Sequence, residues 1–295
     1  MPNVTANGIR IEYDTFGDSC FPALLLIARN GAQMIFWDVE FCESLAKTGL
    51  FVIRFDNRDV GLSTKFDEAG IPDIMGAIKA AMEGKAVESA YSLDDMADDS
   101  VGLLDALGIE KAHICGLSMG GMIAQIIACR HPKHVMSLTS IMSCTGNPNI
   151  PQGKPEAIAA VIAPAPEERQ EYIEHNVNIW RNIWSPGFPF EEDRARAFME
   201  MSYDRSYYPQ GMARQNTAVI AGGDRRPSVS SIRIPTLVIH GADDPLIPVE
   251  AGKDTAQVIP GARLVIIEGM GHDMPKGVWA EIVTAISQHS KQATV

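Results

Sequence analysis

Short apolar runs alternate along the chain with longer segments of helical period. Residues 23–28 and 50–55 are nearly continuous apolar stretches, the pattern of strands covered on both faces. Residues 9–13 alternate apolar and polar, as a half-exposed strand does, and further strands are predicted over 112–115, 135–142, 236–240 and 263–267. Helices are predicted between them over 40–48, 92–107, 119–130 and 278–290. Ser92 reads as an N-cap with Asp94 and Asp95 in the first turn, Gly49 and Gly108 stop two of these helices, and Pro132 closes a third. Strands alternating with helices predict a mostly parallel sheet with helices on both faces, an α/β fold, and no internal repeat interrupts it.

Two stretches break the rhythm. From about 145 to 230 the chain opens with the loop-like Thr145-Gly-Asn-Pro-Asn-Ile-Pro-Gln-Gly-Lys-Pro155, continues in helical segments around 166–183 and 191–203, and offers no good strand until 234. This predicts a helical cap over residues 145–230, inserted in a core made of 1–144 and 231–295. The cap is rich in aromatic residues and methionine; most of them serve its own small core, and a minority, with Trp180 and Trp184 as candidates, are expected to line a binding space for an apolar or aromatic substrate. The second stretch, 66–90, carries Ile71, Ile74, Met75, Ile78 and Met82 at helical spacing, an amphipathic helix that packs on the cap or rims the site.

Composition narrows the partners. The chain has 295 residues, 46% of them hydrophobic, enough for a full core, and a net charge of −12 without a basic stripe, which argues against nucleic acid or an anionic membrane as partner. No apolar run approaches the length that spans a bilayer, and the first residues lack the basic start and apolar stretch of a signal peptide. Five cysteines, an odd number without a C-x-x-C pair, suit a reducing cytoplasm. No His/Cys/carboxylate cluster suggests a metal, no glycine-rich phosphate loop suggests a nucleotide, and no cofactor is expected. The oligomeric state is not readable from the pattern.

The candidate chemistry begins at Gly116-Leu117-Ser118-Met119-Gly120, which lies between a predicted strand and a predicted helix. A serine at such a turn stands clear of the sheet, its glycines let strand and helix pass closely, and the N–H of Met119 opens the helix, where the dipole favours negative charge. A serine hydroxyl needs a base, and the base needs an acceptor that fixes its tautomer. Of seven histidines, His240 and His272 lie downstream at strand ends; His272, in the glycine-rich Gly269-Met-Gly-His272, is the stronger candidate. The acid is Asp243 or Asp244, and the spacing from Gly241 to Pro248 selects Asp244, leaving Asp243 to cap the next helix.

These three marks, in this order and at these separations, resemble the α/β-hydrolase superfamily over nearly the whole chain. Phe55-Asp-Asn-Arg-Asp-Val-Gly-Leu-Ser-Thr64 resembles the D-x-R-x-x-G-x-S segment of the same proteins, and its wording, with Asp59 where many members have glycine, is similar to the bacterial aclacinomycin methylesterase group. The resemblance implies a serine carboxylic-ester hydrolase with Ser118, Asp244 and His272 as triad, acting through an acyl-enzyme on a small-to-medium apolar or aromatic ester, with a methyl ester in view. The family's loop after the first buried strand usually reads His-Gly-X, X giving the second oxyanion N–H. Here it reads Ala28-Arg29-Asn30-Gly31, so X falls at Asn30, partnered by Met119, with Gly31 or Ala32 as donor if the loop is shifted. Arg29 is either a surface residue or reaches a substrate carbonyl. The same fold also hosts lactone hydrolysis, C–C bond cleavage, cofactor-free perhydrolysis and silent small-molecule receptors.

Overall fold

The computed structural model describes residues 2–294. Its sheet runs β1 (Asn3–Ala6), β2 (Ile9–Phe16), β3 (Ala23–Ile27), β4 (Phe51–Phe55), β5 (Ala112–Leu117), β6 (Val135–Ile141), β7 (Thr236–Gly241) and β8 (Arg263–Ile267), in the spatial order β1-β2-β4-β3-β5-β6-β7-β8. Pairing is antiparallel at the β1–β2 and β2–β4 edge and parallel from β4 to β8. The predicted strands all form. β1 is an addition: Asn7 and Gly8 both take positive φ, 48° and 77°, and close a two-residue hairpin onto β2.

Helices cover both faces. α1 (Val39–Ala46) and the final helix lie on one side; α3 (Leu93–Ala106) and α4 (Met119–Arg130) lie on the other, with α2 (Ile74–Met82) between α1 and α3 in the chain. Side-chain alternation divides the core: Leu24 and Leu26 of β3 join the cluster with Phe41 and Leu45 of α1, while Leu25 and Ile27 join the cluster with Leu103 and Ile123 of α3 and α4. Ser92 caps α3 in a reciprocal box, its Oγ accepting from Asp95 N–H at 3.1 Å while Asp95 accepts from Ser92 N–H at 2.7 Å.

Between β6 and β7 the chain forms α5 (Pro155–Ile162), α6 (Arg169–Ile183), α7 (Glu192–Arg205), α8 (Pro209–Ala221) and α9 (Arg226–Val229); α10 (Val249–Val258) and α11 (Lys276–Thr294) follow β7 and β8. α5, α8, α9 and α10 go beyond the predicted elements. α8 opens on Pro209 with Gly211 in its first turn, so its start looks like a loop, although proline is at home in the first turn of a helix. Ile173, Val177, Trp180 and Ile183 of α6 and Met199 of α7 share one apolar cluster with Leu117, Met142 and Met270 of the core, so these helices sit directly over the carboxyl ends of the parallel strands. α2 packs on α8, yet Ile71, Met75 and Met82 remain largely exposed.

Candidate active site

Ser118 sits at the junction of β5 and α4 with φ 56° and ψ −119°, a conformation an L-residue adopts at a cost of about 1–3 kcal/mol. Its neighbours hold it there: Ser118 N–H donates to Ile141 O at 2.9 Å, and Ser143 Oγ donates to Ser118 O at 2.7 Å. The two motif glycines are required by contact. A Cβ on Gly116 would stand 1.9 Å from Gly120 O, and one on Gly120 would stand 2.1 Å from Ile27 O.

The loop after β8 brings His272 to this turn. His272 Nε2 lies 3.0 Å from Ser118 Oγ, and Nδ1 lies 2.7 Å from Asp244 Oδ2. The carboxylate can only accept, so Nδ1 carries the proton and Nε2 is left as acceptor for the serine hydroxyl. Asp244 is fixed in turn: its other oxygen accepts from the N–H groups of Leu246 and Ile247 at 2.9 and 2.8 Å. His272 N–H donates to Ile183 O at 2.9 Å, which ties the loop to the end of α6. His240, the weaker sequence candidate, lies 3.7 Å from the same carboxylate, but its Nε2 donates to Ile247 O at 2.8 Å; burial holds its pKa below the usual range and keeps it neutral. Asp243 does not cap α10, whose N-cap is Pro248; it accepts from Gly269 N–H at 3.0 Å and so braces the histidine loop.

The loop after β3 leaves few N–H groups free. Gly31 N–H donates to Gln215 Oε1 at 2.8 Å and Ala32 N–H donates to Arg29 O at 3.1 Å. Among the described residues no acceptor meets the N–H of Asn30, nor that of Met119 at the head of α4. Of the three sequence candidates in this loop, Asn30 alone therefore has an uncommitted backbone donor. The Asn30 side chain donates to Asn216 Oδ1.

A row of consecutive residues on α8 that the sequence did not single out holds this loop. Arg214 binds Asp59 through Nε at 2.8 Å and Nη2 at 3.0 Å, Gln215 grips Gly31 N–H and donates to Arg58 O at 2.8 Å, and Asn216 meets Asn30. Asp59, at φ 69°, shows why an acid replaces glycine here: Asp tolerates the left-handed region, and its carboxylate is the buried counter-ion of Arg214. Asp56, in the same segment, accepts from Met34 N–H at 2.7 Å and from Arg205 of α7 at 2.7 Å, while Arg205 also donates to Gln33 Oε1 at 2.6 Å.

Trp180 is packed between Phe36 and Phe198, with ring centroids 6.5 and 5.4 Å away, and borders a cavity of about 440 Å³ that also touches Trp279 and Met274. Trp184 is half-buried, donates Nε1–H to Phe188 O at 2.9 Å, and its carbonyl closes against Gly271 beside His272. A larger groove, about 710 Å³, runs between Ile71 and Met75 near α2, Ile162 of α5, and Met212 and Asn216 of α8. Neither space is bordered by Ser118 or His272. Among the described residues no helix is long and apolar enough to cross a membrane, and no group of three or more His, Cys, Asp or Glu is arranged to hold a metal ion.

A mostly parallel sheet with a strained serine at the turn after its fifth strand, and an acid and a histidine after its last two, defines a class of hydrolases. The profile of the family described as alpha/beta hydrolase fold matches residues 25–275, and the chain belongs to that family. Among particular proteins, it is 29% identical to rhodomycin D methylesterase of Streptomyces sp. (strain C5), over 99% of this chain and 98% of that protein. It is 28% identical to 3-oxoadipate enol-lactonase 2 of Acinetobacter baylyi, over 90% of this chain and 87% of that one. The crystal structure of the enol-lactonase from Burkholderia xenovorans superposes with a TM-score of 0.71 at 23% identity, covering 99% of both chains, a likeness of fold. The chain is thus a hydrolase of the α/β-hydrolase fold with methylesterase-like kinship.

Proposed function

We propose that the protein is a serine carboxylic-ester hydrolase. Ser118 Oγ attacks the ester carbonyl as its proton passes to His272 Nε2, and Asp244 steadies the imidazolium that forms. The tetrahedral oxyanion is held by the N–H groups of Met119 and Asn30. Collapse expels the alcohol with the proton from His272 and leaves an acyl-Ser118; water, deprotonated by His272, then releases the acid. One observation carries the reading: an unbroken hydrogen-bonded chain from Ser118 through His272 to Asp244, ending at two backbone N–H groups, so that each proton has a place to go.

The methylesterase relative supports a methyl ester of an apolar or aromatic acid as substrate, and the apolar walls of the 710 Å³ groove suit such a body. Met212 and Asn216 form part of that groove and also contact Gly31 and Asn30, which supports it as the route of approach beneath a cap of residues 145–230. Trp184, whose backbone carbonyl lies against Gly271 and whose ring is only partly buried, remains the cap aromatic proposed to meet substrate, whereas Trp180 has most of its surface committed to packing. The enol-lactonase relative favours a second reading, a cyclic ester opened by the same steps.

The test is hydrolysis of nitrophenyl acetate, butyrate and octanoate, then of aromatic methyl esters and lactones, by the wild type and by Ser118→Ala. The expected loss in the variant is at least about 10³-fold. Persistence of activity in Ser118→Ala removes the serine mechanism, and a preference for lactones over open esters selects the second reading.

A further inference from the structure

Arg29 stands where the family pattern has glycine, beside the proposed oxyanion donor Asn30. Its guanidinium faces the seam between core and cap, over the ring of Phe36 at 4.7 Å and within electrostatic reach of Tyr172 on α6 and Asp273. Its Nε is buried and has no hydrogen-bond partner. The terminal Nη groups keep accessible surface, and among the described residues no acceptor meets them. Yet the surrounding protein strips away enough solvent to push the Arg29 pKa down to about 10. The guanidinium is half-buried next to Asn30, and its donors are not filled by the protein.

The nearest carboxyl does not complete it. Asp273 follows His272 directly, accepts from Ser185 Oγ at 2.6 Å through one oxygen, and leaves the other buried and unpartnered. Burial raises its pKa to about 7, so it is a weak counter-ion, and it forms no ion pair with Arg29. A half-buried guanidinium with free donors and no committed acid is costly unless something else satisfies it. Its planar fork matches paired oxygens, a carboxylate above all.

Resting on the esterase reading above, we infer that Arg29 is a substrate-anchoring residue that binds a second oxygen function of the ester, a carboxylate or a keto oxygen, separate from the scissile group.

The test compares methyl pentanoate with the monomethyl esters of succinic, glutaric and adipic acids and with methyl 3-oxopentanoate. The wild type is expected to favour at least one oxygenated ester over methyl pentanoate by about 10- to 100-fold in kcat/KM, the range of a hydrogen bond to a charged group. Arg29→Met should collapse that ratio toward one, and Arg29→Lys should restore part of it. A preference confined to the monomethyl dicarboxylates identifies a carboxylate; one confined to methyl 3-oxopentanoate identifies a carbonyl. A wild type without preference, or a ratio that survives in Arg29→Met, overturns the inference. Calorimetric binding of monomethyl glutarate and methyl 3-oxopentanoate to Ser118→Ala, with and without Arg29→Met, reads the anchor without catalysis, so a failed esterase mechanism and a failed anchor are told apart. The melting temperature gives a third readout. Arg29→Met should match or exceed the wild type, because it removes a half-buried charge that no acid pairs, whereas a purely structural arginine would lower it.

Discussion

Asp244 illustrates how much a single side chain contributes through geometry. One of its oxygens is claimed by the N–H groups of Leu246 and Ile247, so in Asp244→Asn the amide oxygen must stay there and the amide nitrogen must face His272. His272 then turns to the tautomer protonated at Nε2, which cannot accept the Ser118 proton. The expected loss in kcat/KM is on the order of 10³- to 10⁴-fold with little change in melting temperature, checked by kinetics and thermal unfolding of the same preparation. Asp273 makes a different prediction. Its folded pKa of about 7 lies above the ordinary value of 3.8 because burial disfavours the charge, with Ser185, Arg29 and Arg194 opposing the rise. The stability it contributes is full below about pH 4 and lost as pH rises through 7, so Asp273→Asn should gain on the wild type between pH 5 and pH 8, by about 1–4 kcal/mol in urea unfolding. An advantage that stays flat with pH would contradict it.

Elements meet here with almost no slack. α4 begins so close to the end of β3 that a Cβ on Gly120 would lie 2.1 Å from Ile27 O and 2.8 Å from Ala28 O. Gly120→Ala must therefore push apart the two elements that present Met119 and Asn30. A cost of about 3 kcal/mol or more is expected in denaturant unfolding, with loss of fluorophosphonate labelling at Ser118. α8 is the other tight joint. Arg214→Met leaves the Asp59 carboxylate buried without its partner and should cost about 3–5 kcal/mol, whereas adding Asp59→Gly removes the orphaned charge and suits φ 69°. Recovery of a large part of the loss in the double variant is the result to look for; an additive loss would mean that the pair is not what joins α8 to the core.

Across the whole molecule, the helices between β6 and β7 are not an independent body. Trp180 and Met199 lie in the same apolar cluster as Leu24, Phe41 and Met270, and Ala218 of α8 and Val229 of α9 lie in the cluster on the other face of the sheet. Buried area shared in this way should make unfolding cooperative. Far-UV circular dichroism, dominated by core and cap helices together, is expected to melt at the same temperature as tryptophan fluorescence, to which Trp180 and Trp184 of α6 and Trp37 and Trp279 of the core contribute. Two separated transitions would show a cap that comes away first.

What the sequence determined by itself was whatever rests on local pattern. The continuous apolar runs fixed the central strands, because a strand covered on both faces has no polar side to present. The turn at Ser118 was legible because only glycine fits where strand and helix nearly touch, and Asp244 and His272 were legible because each follows a predicted strand, one in the Gly241-to-Pro248 spacing and one in a glycine-rich loop. The hairpin at Asn7-Gly8 and the start of α8 at Pro209 were less plain, since turn residues there serve the elements themselves. Only the tertiary structure decided which N–H groups of the β3 loop stay free, because that depends on Gln215 reaching Gly31 from 184 positions away in the chain. It alone decided that Asp59 faces Arg214, that Asp243 braces the histidine loop, and that Arg29 turns inward with its donors unspent. Each depends on groups far apart in sequence, brought together by how the helices and loops settle on the sheet, and no periodicity along the chain encodes it.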